Sequence, residues 1–259
     1  MKIWITGASS GIGEALAYAF AREGAHLILS ARNKDELERV KKNCAGAQQT
    51  DIIPLDLANH AGIFSTVNDA LKIYKNIDVL VNNAGLSQRS PASDTDFSVD
   101  TQLINVNLLG TIAMTKAVLP SMLAQKKGNI IVVTSIMGKL GAPLRSSYAA
   151  AKHGLHGFFD TLRAETHAQG IRVLLVCPGF VRTNISVNAL TAAGKNQGTM
   201  DDATGKGLDP NVVAQKIISA MTSEKEEIII AGPRERFAVL MKRFAPRILS
   251  KIVRNAKTT

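Results

Sequence analysis

Thr6-Gly7-Ala8-Ser9-Ser10-Gly11-Ile12-Gly13 is the stretch that decides the fold. Its glycines are spaced GxxxGxG where an apolar run, Lys2–Thr6, meets a helix-like run, Gly13–Glu23. Glycine lets a backbone turn tightly and approach a pyrophosphate without a Cβ clash. The first backbone N–H groups of the following helix then face the anion. A short glycine pattern can also be a plain turn. A strand before it and a helix after it single out the nucleotide-binding reading.

Outward from this turn, strand-like and helix-like segments alternate. Short runs rich in Ile and Val lie at Lys2–Thr6, Ala25–Ser30, Gln49–Leu55, Val79–Asn82, Asn129–Thr134, Arg172–Cys177 and Glu227–Ile230. They are apolar on both faces, as parallel strands covered by helices on both sides are. Helical periodicity predicts Gly13–Glu23, Asn33–Cys44, His60–Tyr74, Thr101–Leu123, Ser147–Gln169 and Asn211–Thr222, with Gly24 and Gly170 at C-cap positions. This order predicts an α/β chain: a Rossmann-type doubly wound parallel sheet with helices on both faces, in one domain over 1–259. Residues 184–209 hold four glycines and read as a lid-like loop.

The end of the second strand reads Leu29-Ser30-Ala31-Arg32. Many dinucleotide sites carry an acid there for the ribose 2′-OH, whereas a nearby arginine accommodates a 2′-phosphate. Ala31 takes the acid's place and Arg32 follows, which favours NADP(H) over NAD(H).

Composition narrows the class. Hydrophobic residues make up 46% and charged residues 20%, a globular balance. No stretch approaches the roughly 18 consecutive apolar residues of a membrane span. The sequence opens on a strand, so neither a signal peptide nor an N-terminal anchor is expected. Cys44 and Cys177 form no CxxC, and the five histidines show no HExxH, so no metal is expected and a reducing cytoplasm is. The net charge of +10 is concentrated at the end: 234–259 hold eight Lys/Arg and one Glu. A basic tail on a near-neutral body is not a nucleic-acid-binding face, and aromatic content is only 5%. Apolar residues of the tail, Phe237, Leu240, Phe244, Ile248 and Ile252 among them, recur three and four apart. Such a helix pair is expected to pack on the body or a partner subunit rather than on an anionic membrane, since amphipathic helices mostly bury their apolar face in protein.

Further motifs follow the glycine turn in order: Asn82-Asn83-Ala84-Gly85, Asn107, Ser135, Tyr148-Ala-Ala-Ala-Lys152 and Pro178-Gly179. Each is weak alone. As an ordered set from residue 6 to about 183, they resemble the classical short-chain dehydrogenases/reductases. The resemblance implies a hydride-transfer enzyme with Asn107, Ser135, Tyr148 and Lys152 as its catalytic set. It places the cofactor on Gly7, Ser9, Ser10, Gly11, Ile12, Gly13, Arg32, Asp56, Leu57, Asn83, Ala84, Gly85, Tyr148, Lys152, Pro178, Gly179 and Thr183. For Asn83 a role in tying the sheet together is at least as consistent. A small-molecule carbonyl or alcohol substrate and a homodimer or homotetramer are implied as well.

Physical chemistry agrees with these roles. Tyr148 and Lys152 are four apart on a helix and share a face. A free tyrosine, with pKa near about 10, is a poor base at neutral pH, and an adjacent ammonium favours its phenolate. Ile136, Met137, Leu140, Leu144, Phe180 and the 184–209 loop are the expected pocket walls, which suggests a medium or large hydrophobic substrate. The stretch from Arg145 to Met200, and Asn184–Leu190 above all, resembles one branch of the family, for which lipid-like or steroid-like ketones come into view.

Overall fold

The computed structural model describes residues 1–254; the last five residues of the 234–259 tail lie outside them. The strands are β1 (Lys2–Thr6), β2 (His26–Ser30), β3 (Gln49–Ile52), β4 (Val79–Asn82), β5 (Gly128–Val133), β6 (Ile171–Pro178) and β7 (Glu227–Ile230). They form one sheet in the order β3-β2-β1-β4-β5-β6-β7, and every pairing is parallel. The reversal between β1 and β4 opens a crevice at the strands' carboxyl ends, where ligands bind in such sheets.

The core lies on both faces, and the strand period of two divides it. Ile3 and Ile5 face one layer with Val79, Val81 and Ile131. Trp4 faces the other with Leu80, Ile130 and Val132. The first layer is covered by α1 (Gly11–Arg22), α2 (Lys34–Lys42) and α8 (Pro210–Thr222). The second is covered by α3 (His60–Tyr74), α5 (Thr111–Gln125) and α6 (Ser146–Thr166). Phe159 and Leu162 of α6 are spent in this core.

Two expected elements have other bounds in the structure. The strand expected over Gln49–Leu55 stops at Ile52, because Pro54 has no N–H to continue the ladder. Ile53 and Leu55 still donate to Leu29 and Ala31. The helix expected over Thr101–Leu123 begins earlier, as α4 (Phe97–Ile104), and contains a π-helical turn, Asn105–Gly110, before α5. A π turn leaves backbone groups without their usual partners; His60 Nε2 meets the Asn105 carbonyl at 3.1 Å and Thr111 Oγ1 donates to the Asn107 carbonyl at 2.9 Å. By length and hydropathy Phe97–Gln125 could cross a bilayer, but half of its 18-residue apolar window is buried within the protein, as in a core helix.

The 184–209 segment is more structured than a loose lid. It holds a short helix, α7 (Asp202–Gly205), and bridges of Leu190 to Gln88 and Asn196. The tail forms α9 (Pro233–Phe244) and α10 (Pro246–Arg254), which pack on each other. No residue of α9 is buried, and in α10 only Leu249 is, so the body, one of the two expected partners, does not cover the hairpin.

Candidate active site

The phosphate end of the site is built by the glycine turn. A Cβ on Gly13 would lie 2.2 Å from the Gly7 carbonyl oxygen, and one on Gly7 would lie 2.7 Å from Ala84 Cα. Only hydrogen at both positions lets α1 start this close to β1 and β4. Asn83 staples the same point: its Nδ2 donates to the carbonyls of Thr6 and Gly7, at 3.2 and 3.0 Å. Thr6 Oγ1 returns the tie by accepting the backbone N–H groups of Asn83 and Ala84. Ser10 precedes α1 without making a side-chain cap, so the first turn of the helix offers its N–H groups to an anion.

A cleft of about 910 Å³ runs from this turn across the sheet. Gly7, Ser9, Ser10, Gly11, Ile12, Arg32, Asp56 and Leu57 line one end, then Asn83, Ala84, Gly85, Ser135, Tyr148, Lys152, Pro178, Gly179 and Thr183. Two expected residues stand behind the wall: Gly13 packs on the Gly7 carbonyl, and Asn107 is fully buried. Arg32 is exposed at the rim. Glu36, also on the rim, is held by Arg39 Nε at 2.8 Å, and Arg39 reaches on to Glu14 and to the Ser9 carbonyl. Glu36 is thereby paired with a cation of its own helix. Cradle and helix end fit the pyrophosphate of a nicotinamide dinucleotide.

At the other end, four side chains meet. Ser135 follows β5, and its Oγ accepts the Met137 N–H at 3.1 Å, leaving its proton for an oxygen in the cleft. Its hydroxyl faces the Tyr148 phenol and favours the phenolate. Lys152, one helical turn after Tyr148, is buried with Nζ 5.8 Å from the phenol ring centroid and 2.9 Å from the Val133 carbonyl. Burial lowers Lys152 to about 8. Asn107 braces the site from its π turn: its amide donates to the Leu86 carbonyl at 2.9 Å and accepts the Leu86 N–H at 2.8 Å.

The sequence reading missed a buried polar cluster beside these four. Gln88 Oε1 accepts the N–H of Ser147, at 3.0 Å, and of Tyr148, at 3.4 Å. It thus caps α6 from another segment, where no local side chain does. Arg89 holds Asp201 with Nε at 2.9 Å and Nη2 at 2.5 Å, and Arg145 approaches the same oxygen at 3.5 Å. All three side chains are almost wholly buried. Burial raises the Tyr148 phenol; the Ser135 hydroxyl and the positive Arg89 and Arg145 oppose that rise. Burial also pulls Arg145 down to about 10. The proximity of Arg145 to Tyr148 in sequence was a usable signal; nothing in spacing pointed to Asp201, 53 positions further on than Tyr148.

The substrate end differs from expectation. Ile136 and Leu140 turn into the protein and are buried, and Met137, Leu144 and Phe180 do not line the cleft. The expected 184–209 wall is there, through Asn184, Ile185, Asn188 and Asn196, and Leu86 and Val106 join it. One cluster of metal-ligand types occurs among the described residues, His156 with Cys177 and Glu227 within 4.8 Å. Burial pushes the Cys177 thiol up to about 11, which disfavours the thiolate a metal needs, and Glu227 is paired with Lys139 at 2.6 Å.

Comparisons with known proteins agree with this geometry. A family model described as short chain dehydrogenase matches residues 1–193. The chain is 42% identical over 252 residues to a dehydrogenase/reductase SDR family protein 7-like of Anopheles gambiae, covering 95% of this chain and 80% of that one. It is 37% identical over 256 residues to dehydrogenase/reductase SDR family member 7B of Bos taurus, covering 96% and 79%. Among solved structures, an alcohol dehydrogenase of Thermococcus sibiricus complexed with 5-hydroxy-NADP aligns with TM-score 0.76 and 27% identity, covering 88% of this chain and 95% of that one. A short-chain dehydrogenase/reductase of Burkholderia phymatum in complex with NAD shares the fold, with TM-score 0.85 and 24% identity over 95% and 94% of the two chains. A glycine cradle leading into a serine, a tyrosine and a lysine on one cleft, matched along most of its length by relatives of one kind, leaves a single assignment: the chain belongs to the short chain dehydrogenase family of oxidoreductases.

Proposed function

We propose that this chain transfers hydride between NADP(H) and a carbonyl or alcohol substrate of medium to large size. The observation that carries the reading is the meeting of Ser135, Tyr148 and Lys152 in the cleft that begins at the α1 N-terminus. A bound nicotinamide supplies or accepts the hydride. Tyr148 gives its phenolic proton to the substrate oxygen in reduction and takes it back in oxidation. Ser135 donates a hydrogen bond to that oxygen, where negative charge builds. Lys152, with Arg89 and Arg145, favours the phenolate that remains. Leu86, Val106 and Ile185 suit an apolar substrate body, and the three asparagines suit a polar group on it, as in a lipid-like ketone. Exposed Phe97 and Leu109 on the α4–α5 run fit assembly as a homodimer or homotetramer, and two buried free cysteines fit a cytoplasmic setting.

The cofactor half is tested at Arg32. Arg32→Glu removes a charge-assisted hydrogen bond, worth about 1.5–3 kcal/mol, and sets a carboxylate against the 2′-phosphate. The ratio of kcat/KM with NADPH to that with NADH is expected to fall at least about tenfold. An unchanged ratio removes Arg32 from recognition while leaving the proton-transfer set in place.

A further inference from the structure

We propose that the α9–α10 hairpin docks the protein on an anionic membrane surface. The structure leaves its apolar side without a protein partner among the described residues: Phe237, Leu240, Phe244, Ile248 and Ile252 are each between 54% and 77% exposed. Phe237, Leu240 and Phe244 recur at helical spacing on α9, and Ile248 and Ile252 are four apart on α10. Residues 234–254 also hold seven Lys/Arg against a single Glu. On α10, Arg247, Lys251 and Arg254 are spaced four and three apart, on a stripe separate from Ile248 and Ile252.

Large apolar side chains on one stripe and basic ones on another are the pattern of a helix lying in a bilayer interface. A second copy of this chain is the weaker occupant. A two-fold contact through this face would bring one basic hairpin against another, and like charges across an interface disfavour it. An anionic leaflet satisfies both halves of the surface, burying the apolar stripe and attracting the basic one.

The hairpin is also placed where docking has a consequence. A Cβ on Gly179, in the cofactor cleft, would lie 2.9 Å from Ala231 Cβ and 3.7 Å from Glu235 Oε1, in the first turn of α9. The tail therefore departs from the rim of the cleft, and docking holds that rim near the lipid. This last consequence rests on the reductase reading; the docking itself does not.

The test is co-sedimentation of the full chain with phosphatidylcholine vesicles, with and without phosphatidylglycerol. Wild type is expected to bind the mixed vesicles at least tenfold better than the neutral ones, less so in high salt. The triple variant Phe237→Ser/Phe244→Ser/Ile252→Ser and the triple variant Arg247→Gln/Lys251→Gln/Arg254→Gln are each expected to lose at least tenfold. Both should keep the wild-type melting temperature and wild-type turnover of a short, water-soluble ketone. No binding to anionic vesicles overturns the proposal, as does binding that both variants retain. So does light scattering that shows a wild-type oligomer falling apart in the Phe237 variant, which would make the face a subunit contact. Loss of ketone turnover in wild type strikes the reductase reading instead and leaves the vesicle result standing.

Discussion

Tyr148 is asked to work against its surroundings, because burial alone holds its proton on. Arg89 and Arg145 pull the other way, and Arg145 is only three residues from Tyr148. Arg145→Gln removes one of these charges, so the Tyr148 pKa rises and both limbs governed by it move to higher pH. In alcohol oxidation the phenolate is the active form, so kcat/KM near neutral pH should fall about tenfold for every pH unit that the profile moves. Arg145→Lys should restore the profile. The pH–rate curves measure this, and a displaced melting temperature with an unmoved profile would reduce Arg145 to a packing role. At this scale Asn107, Ser135, Tyr148 and Lys152, which the structure brings together, were legible because they lie in short motifs. The Gln88–Arg89–Arg145–Asp201 cluster was not, since it joins three separate segments by buried polar contacts that no local pattern records.

The elements were readable where one period dominates. Strands buried on both faces show as apolar runs, and all seven appear within a few residues of expectation. Legibility failed where tertiary geometry overrides periodicity. The π turn at Asn105–Gly110 changes the helical phase without any break in composition. The walls named from apolarity near the active site, Ile136 and Leu140, serve the core instead. The α1–β1 junction is the tightest of the contacts that shape the cleft. Gly13→Ala forces a Cβ to within 2.2 Å of the Gly7 oxygen and 2.6 Å of Asn83 Nδ2. Overpacking of this kind costs about 1–3 kcal/mol, with roughly 2–4 °C of melting temperature per kcal/mol at this size. A calorimetric midpoint equal to wild type would show that α1 can shift away freely.

For the molecule as a whole, one contribution to acid sensitivity comes from His156 on α6. Burial, helped by Lys139, lowers His156 from 6.5 to about 4. Its Nδ1 is buried with no hydrogen-bond partner among the described residues. The unfolded chain therefore takes up this proton more readily than the folded one. Stability from the neutral imidazole is fully present above about pH 6.5 and is lost as pH falls toward 4. His156→Gln should flatten the fall of melting temperature across that window; an equally steep fall would assign the effect to other groups. The tail shows what a sequence can and cannot say at this scale. Its amphipathic pattern was plain, but whether the stripe met the body was a matter of docking, and the structure leaves it outside.

NADPH consumption by the full chain across a panel of medium and large ketones, with wild type and Tyr148→Phe side by side, is the decisive measurement. Wild type should turn over at least one ketone, and the variant should lose about 10²–10⁴-fold in kcat, the usual worth of a positioned proton donor, while still binding NADPH. A variant that matches wild type would contradict proton transfer by Tyr148, and a wild type that consumes NADPH with none of the panel would contradict the proposed reaction itself.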